Sequence, residues 1–246
     1  MDTRNNWYKT FFSGMAVEMW HNATSAEYTR QEVNFIKKAV SLHNDASILD
    51  VPCGSGRHSL ELGKEGYRIT AIDIAEENIV MLKTATGRLP IESVCADILE
   101  YNIKGKHDAA ICMGNSFSYF PYDGMLAFSG KVNDALKDGA KFIINTGALA
   151  ESILTNFKPQ LNMKVDDIEF AVENEYVVID SLLKSTCRFV KNGLMEQRIA
   201  YHFVYTLNEV KRILGEAGFA MIEVFADCDS NDFKLGSNQA YIIATK

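Results

Sequence analysis

Residues 48–58 read Ile48-Leu49-Asp50-Val51-Pro52-Cys53-Gly54-Ser55-Gly56-Arg57-His58, an apolar run that ends in two closely spaced glycines before a helix-like stretch. That pattern is the sequence form of a strand turning into a helix in an open parallel sheet, where ligands bind at the carboxyl ends of the strands. The surrounding rhythm agrees. Short β-rich runs recur at Ser47 to Val51, Arg68 to Asp73, Ile91 to Ala96, Asp108 to Met113 and Lys141 to Thr146, separated by helical spacing. This predicts five strands joined by crossover helices, a core spanning 46–147. Between the fourth and fifth, Met125, Phe128, Val132 and Leu136 share one helical face, and Gly139 is expected to cap that helix in the left-handed region.

The flanks read differently. Residues 1–45 are expected to be helical, with Val33, Ile36, Ala39 and Val40 in one apolar stripe. After Gly147 a short helix is read near Glu151, and then Glu169 to Tyr205 is rich in Val, Ile, Tyr and Phe. Asn192-Gly193 lies between two alternating runs, and a type I′ hairpin turn needs φ > 0 at both positions, so 148–205 is predicted to be an antiparallel β insertion. Thr206-Leu207-Asn208-Glu209 is a capping box, followed by Val210, Ile213, Leu214 and Ala217 as a buried face and Gly218 as the stop. Met221 to Ala226 and Ala240 to Thr245 then close the chain as a strand hairpin, so 206–246 completes one domain of 1–246.

Composition narrows the classes. Of 246 residues 47% are apolar and 23% charged, with 4 Pro and 16 Gly, a folded profile. Lys plus Arg number 25 against 32 Asp plus Glu, a formal charge of -7 with no basic run, which disfavours nucleic acid and anionic membranes as partners. The 5 cysteines are scattered without a C-x-x-C pair, so reduced thiols and a cytoplasmic location are expected. The first residues do not read as a signal peptide, so none is expected, and no run of about eighteen apolar residues offers a membrane span. His21, His43, His58, His107 and His202 are isolated, and Asp227 to Asp232 lacks the glycine and glutamate of a calcium loop. No metal is expected.

Glycines in the loop let a ligand approach the backbone, and Asp73, at the end of the second strand, is placed to accept hydrogen bonds from ribose hydroxyls. A dinucleotide site wants a third glycine where this chain has Ser59, and no Tyr-x-x-x-Lys pair is present, so a nicotinamide-dependent oxidoreductase is the weaker reading. Asp50 before the loop and Asp97 after the third strand add two acids at strand ends. Three carboxylates suit a ligand with an amino group, a ribose and an adenine amine, and no pyrophosphate to repel.

Asp50-x-x-Cys53-Gly54-x-Gly56, Asp73-Ile74, Ala96-Asp97-Ile98 and Gly114-Asn115-Ser116-Phe117 together resemble the class I S-adenosylmethionine-dependent methyltransferases, from about Phe11 to the C-terminus. Pro52 departs from the pattern, since many members carry a glycine there. The resemblance implies an α/β, Rossmann-like seven-stranded mostly parallel sheet with an antiparallel last strand and helices on both faces. It also implies S-adenosylmethionine as cofactor: Asp50, Gly54 and Gly56 beside the methionine part, Asp73 on the ribose, Asp97 on the adenine amine, Ile74 and Ile98 around the ring, and Met113 nearby.

Within that family the Gly114 to Phe117 segment is similar to a motif of glycine N-methyltransferase and related small-molecule N-methyltransferases. Trp20 and Arg30 resemble the tryptophan and arginine that those enzymes set against the methionine end, with Arg30 expected to pair with the cofactor carboxylate. Asn115 is the candidate catalytic residue, its side-chain carbonyl expected to orient an attacking amine, and Phe117 and Tyr201 complete the expected acceptor pocket. Glycine itself is disfavoured as acceptor, because Asn145-Thr146-Gly147-Ala148 lacks the arginine that would bind its carboxylate. A non-catalytic protein that keeps the fold as a binding module is the remaining alternative.

Overall fold

The computed structural model describes residues 3–246, and after a short 3-10 turn (Thr3–Asn5) come three α-helices, α1 (Tyr8–Phe11), α2 (Met15–Asn22) and α3 (Ala26–Val40). Ser25 starts α3 by accepting the Tyr28 N–H on its hydroxyl at 3.1 Å, satisfying a donor that the helix itself leaves orphaned. Strands and helices then alternate: β1 (Ser47–Asp50), α4 (Arg57–Lys64), β2 (Arg68–Asp73), α5 (Glu76–Thr86), β3 (Ile91–Cys95), β4 (His107–Cys112), α6 (Tyr122–Ala135) and β5 (Leu136–Thr146). Val51, Ala96 and Met113, expected as strand ends, fall one residue past the ladders, in the loops that border the site.

Helix α7 (Ala150–Ile153) leads into β6 (Gln160–Val165), β7 (Ile168–Val177), β8 (Leu182–Lys191) and β9 (Leu194–Phe203), an antiparallel four-stranded sheet in that order. The hairpin between β8 and β9 turns at Asn192 (φ 52) and Gly193 (φ 76), the two positive φ values of a type I′ turn. Strand β6 carries no β-branched residue before Val165, so its alternation is a weak signal in sequence. Helix α8 (Leu207–Glu216) opens with the complete capping box of Thr206 and Glu209, and Gly218 follows at φ 97.

Strands β10 (Met221–Phe225) and β11 (Ala240–Thr245) finish a seven-stranded sheet of order β10-β11-β5-β4-β1-β2-β3. Strand β11 is antiparallel to both β5 and β10, and the other pairings are parallel. Helices α3, α4 and α5 bury Ile36, Leu62 and Leu82 against one face, where Ile48, Ile111 and Ile143 project. On the other face α6 and α8 bury Phe128, Val132 and Ile213 against Leu49, Ala110 and Phe142. Adjacent strand residues thus serve opposite cores, as the pleat requires.

One expectation fails. Leu136 does not continue α6 and Gly139 does not cap it: Leu136 is already extended (φ -90, ψ 148) and pairs with His107 across a register shift in β4. Gly139, at φ 74, instead lets β5 bend so that its N–H donates to the Lys246 carbonyl at 3.1 Å. Leu136 is fully buried in the strand as it would have been in the helix, so its spacing alone did not discriminate.

Candidate active site

Strand β1 lies between β4 and β2: the chain runs outward through β2 to β3 on one side, then crosses back to lay β4 and β5 on the other. A crevice opens at such a switch point. Here it is a cavity of about 760 Å³, bounded by the loops after β1 to β5, by α1 and α2, and by one face of the β6–β9 sheet. No helix among the described residues is long and apolar enough to cross a membrane, and no cluster of metal-ligating side chains is found among them.

The glycine loop and Asp73 form one unit. Gly54 donates its N–H to the Asp73 carboxylate at 2.8 Å, and Asp73 also accepts the Ala75 N–H at 2.8 Å and the Asn78 amide at 3.3 Å. Burial pushes the Asp73 carboxyl above its ordinary value, while these donors pull the other way. Gly54 sits at φ 55 with open space where a Cβ would stand, so the loop is accessible from the cavity. At the end of β3, Asp97 takes the Leu99 N–H at 3.0 Å, the Tyr8 hydroxyl at 3.2 Å and Lys9 Nζ at 2.9 Å, which ties α1 to this strand end. Ile74, Ile98 and Met113 give the space between the two carboxylates apolar walls. An acid for a ribose, an acid for an adenine amine and aliphatic surface between them fit an adenosyl group.

Other expected residues stand elsewhere. Gly56 does not reach the cavity: a Cβ there would lie 2.4 Å from Leu82 Cδ1, so this glycine exists for the close approach of α4 and α5. Asp50 is beneath the loop, fully buried, accepting the Ser59 hydroxyl at 2.6 Å, and burial pushes its carboxyl up to about 7. Arg30 points outward from α3, exposed and away from the cavity. The guanidinium that lines the cavity belongs to Arg57, at the start of α4. It donates to Thr29 Oγ1 at 3.2 Å and pairs with the buried Glu32, which also holds His58 Nε2 at 3.0 Å and the Tyr241 hydroxyl at 3.1 Å. Arg57 Nη2 comes within 3.8 Å of where a Cβ on Gly114 would stand, so the guanidinium spans from α3 to the loop after β4.

Asn115 lines the cavity at φ 64, but its side-chain oxygen accepts the Gly147 N–H at 2.7 Å and the Thr146 hydroxyl at 3.3 Å. The carbonyl expected to face an amine instead ties the β4 loop to the end of β5. Phe117 is in the core, fully buried against Phe128 and Phe142, and not in the pocket. Tyr201 projects from the opposite side of β9 to Ala200 and His202, which do face the cavity. Trp20 lines it, half-exposed, with its ring edge-on to Phe170 of β7 at 5.9 Å. His21 on the same helix meets the Ser55 hydroxyl at 2.8 Å, joining α2 to the glycine loop.

Several lining residues carried no usable sequence signal. Trp7, Tyr119 and His202 pack ring to ring at 4.8–5.4 Å although they come from three distant segments. For His202 the alternation of β9 is visible in sequence, but not which face meets the cavity. Cys53 and Cys187 also reach the cavity; burial pushes both thiols up, Cys187 to about 12, so neither is a ready thiolate.

Known proteins agree with this geometry. A family profile described as a methyltransferase domain matches residues 48–139. Glycine/sarcosine N-methyltransferase of Parasynechococcus marenigrum (strain WH8102) is 32% identical over 205 residues, covering 80% of this chain and 71% of that protein. Glycine/sarcosine N-methyltransferase of Aphanothece halophytica is 28% identical over 223 residues, covering 85% and 77%. In fold, an S-adenosylmethionine-dependent methyltransferase from Clostridium acetobutylicum superposes with a TM-score of 0.79 at 18% identity, over 88% of this chain and 91% of that one. With the adenosyl-shaped pair of strand ends, these likenesses place the chain in the class I S-adenosylmethionine-dependent methyltransferases, and it is an enzyme of that family.

Proposed function

We propose that this methyltransferase acts on a nitrogen of a small molecule that enters beneath the β6–β9 sheet. The observation that carries the reading is the enclosure of the site: a second sheet and the aromatic α1–α2 segment cover the strand ends and leave about 760 Å³, in the range of small-ligand sites. Relatives whose names specify N-methylation of glycine and sarcosine support nitrogen as the acceptor atom.

S-adenosylmethionine, when bound, supplies a methyl carbon activated by its sulfonium: the acceptor's C–N bond forms as C–S breaks, giving S-adenosylhomocysteine and a proton that leaves to water. Asp73 would hold the ribose hydroxyls and Asp97 the adenine amine, with Ile74, Ile98 and Met113 supplying apolar surface for the ring. Gly54 leaves room for the methionine part, with Trp20 beside it. Arg57 takes the carboxylate role, as a cation that already lines the cavity and is held rigid by Glu32. Asn115 keeps the loops after β4 and β5 in register beside the acceptor. In-line transfer needs positioning and exclusion of water more than a strong base, and the covering sheet supplies both.

Incubation with methyl-labelled S-adenosylmethionine and fractionated metabolite extract tests the reading. Label in a small-molecule fraction, retained on nitrogen by mass spectrometry, is expected. Label only in nucleic acid or protein, or only on oxygen, would refute it.

A further inference from the structure

Helix α3 carries a carboxylate in the stripe that it buries. The buried positions are Thr29, Glu32, Val33, Phe35 and Ile36, and Glu32 is fully buried among them. An acid in such a place is costly without partners. Glu32 has three from other elements: Arg57 and His58 at the start of α4, and Tyr241 in β11. Burial alone would push its carboxyl up, but the contacts with His58 and Arg57 outweigh burial and hold it below the ordinary value, so Glu32 is a carboxylate near neutral pH. A buried ion pair adds little net stability over apolar residues of the same volume. Stability is therefore not a sufficient reason for an acid at this position.

The geometry supplies another reason. Arg57 directs Nη1 to both Glu32 Oε2 and Thr29 Oγ1, one turn apart on α3, which leaves Nη2, on the Gly114 side, to a ligand in the cavity. Glu32 is fixed in turn from β11: its Oε1 accepts the Tyr241 hydroxyl at 3.1 Å, and that hydroxyl meets the Tyr28 hydroxyl at 2.8 Å. Tyr28 also accepts the Gln239 amide at 2.9 Å. The acid is thus tied to regular structure on both sides, while the Arg57 side chain is 26% exposed and has room to swing away without it. A long side chain loses much rotamer freedom when it is fixed. Here that loss falls on folding and not on the arrival of a ligand.

Resting on the role given to Arg57 in the proposed function, we propose that Glu32 is a positioning residue for the cofactor. Anchored through Tyr241, it holds the Arg57 fork toward the cofactor's carboxylate and so sets how strongly the enzyme prefers a ligand that carries one.

Titration calorimetry with S-adenosylhomocysteine and with S-adenosyl-3-thiopropylamine, which lacks only its carboxylate, reads this preference as a ratio of affinities. The native chain is expected to favour S-adenosylhomocysteine by at least about tenfold, the scale of a charge-assisted pair. Glu32→Gln should lower the ratio at least about fivefold, the scale of freeing one long side chain. Tyr241→Phe should lower it at least about twofold, because Glu32 then keeps only its contacts to α4. A merely structural Glu32 would weaken both ligands together and leave the ratio alone. A charge effect by itself would raise the ratio, since an acid near a bound carboxylate repels it. A ratio unchanged or raised in Glu32→Gln, or in Tyr241→Phe where the first variant does not fold, would overturn the proposal. Arg57→Met tests the underlying role separately: a ratio as large as the native one would remove Arg57 from the carboxylate. A ratio that collapses in Arg57→Met but stays native in Glu32→Gln overturns only the present inference.

Discussion

The backbone N–H of Gly54 donates to the carboxylate of Asp73 at 2.8 Å, so the glycine loop after β1 and the end of β2 are held as one piece. Asp73 therefore shapes the loop, and in the proposed function it also receives the ribose. Asp73→Ala is expected to weaken S-adenosylhomocysteine binding by about 1–3 kcal/mol, the scale of hydrogen bonds to a charged acceptor. Titration calorimetry measures it, and an affinity within twofold of the native value would place the ribose elsewhere.

The two loop glycines should fail in different ways. Gly56→Ala forces a Cβ to 2.4 Å from Leu82 Cδ1 at φ 85, combining left-handed strain with overpacking of a buried leucine, for a loss of about 2–4 kcal/mol of stability. Gly54→Ala meets open space at φ 55, so it should cost only the backbone strain of about 1–2 kcal/mol and chiefly reduce cofactor affinity. Urea denaturation beside calorimetry separates them; equal losses of stability would show that Leu82 moves aside freely.

Arg57, not Arg30, is expected to matter for the cofactor carboxylate. Arg57→Lys keeps a cation beside Glu32 but removes the forked geometry, and should weaken S-adenosylhomocysteine binding about fivefold or more, roughly 1 kcal/mol. Arg30→Ala, on the exposed face of α3, should leave affinity within twofold. The reverse ranking would return the role to Arg30 through a movement of α3.

Asp50 should make stability depend on pH. Its folded-state carboxyl is held up to about 7 by burial, while in the unfolded chain it titrates near the ordinary value of about 4. Between those values the folded protein binds more protons, so stability falls as pH rises through this window. Asp50→Asn, which keeps an oxygen for the Ser59 hydroxyl, removes that slope: relative to the native chain it should gain stability from pH 4 to pH 7 and then level off. Denaturation curves at pH 5 and pH 8 check this, and a difference independent of pH would mean Asp50 is ionised in the fold.

The strand positions of the core and the site's two acidic corners were legible early, because they are written in local terms, while the order of the strands in the sheet came from the structure. A strand followed by a glycine turn and a helix, with an acid closing the next strand, is a short-range pattern, and Asp73, Asp97, Ile74 and Ile98 all occupy the expected wall. The hairpin at Asn192-Gly193 and the capping box at Thr206 were legible for the same reason: each needs only its own few residues. Leu136 shows the limit. Its helical spacing was real, but a buried leucine serves a strand equally well, and pairing with His107 decided the matter.

What only the tertiary structure decided is which side chains share the cavity. Gly56 and Asp50 are two and four residues from Gly54 yet face Leu82 and Ser59 beneath the loop. Arg57 lines the cavity and Arg30 does not, because the direction of each helix face toward the sheet depends on how α3 and α4 pack, not on spacing from Trp20. One wall of the cavity is the extreme case: Trp7, Tyr119 and His202 lie far apart in the chain and meet only when the β6–β9 sheet folds over the strand ends. By itself the sequence determined the α/β alternation of the core, since each strand, glycine turn and cap needs only its own few residues, and its motifs carried the resemblance that implied the seven-stranded sheet and the cofactor. The cavity's polarity was decided by long-range packing, because it is a property of which faces close on the site.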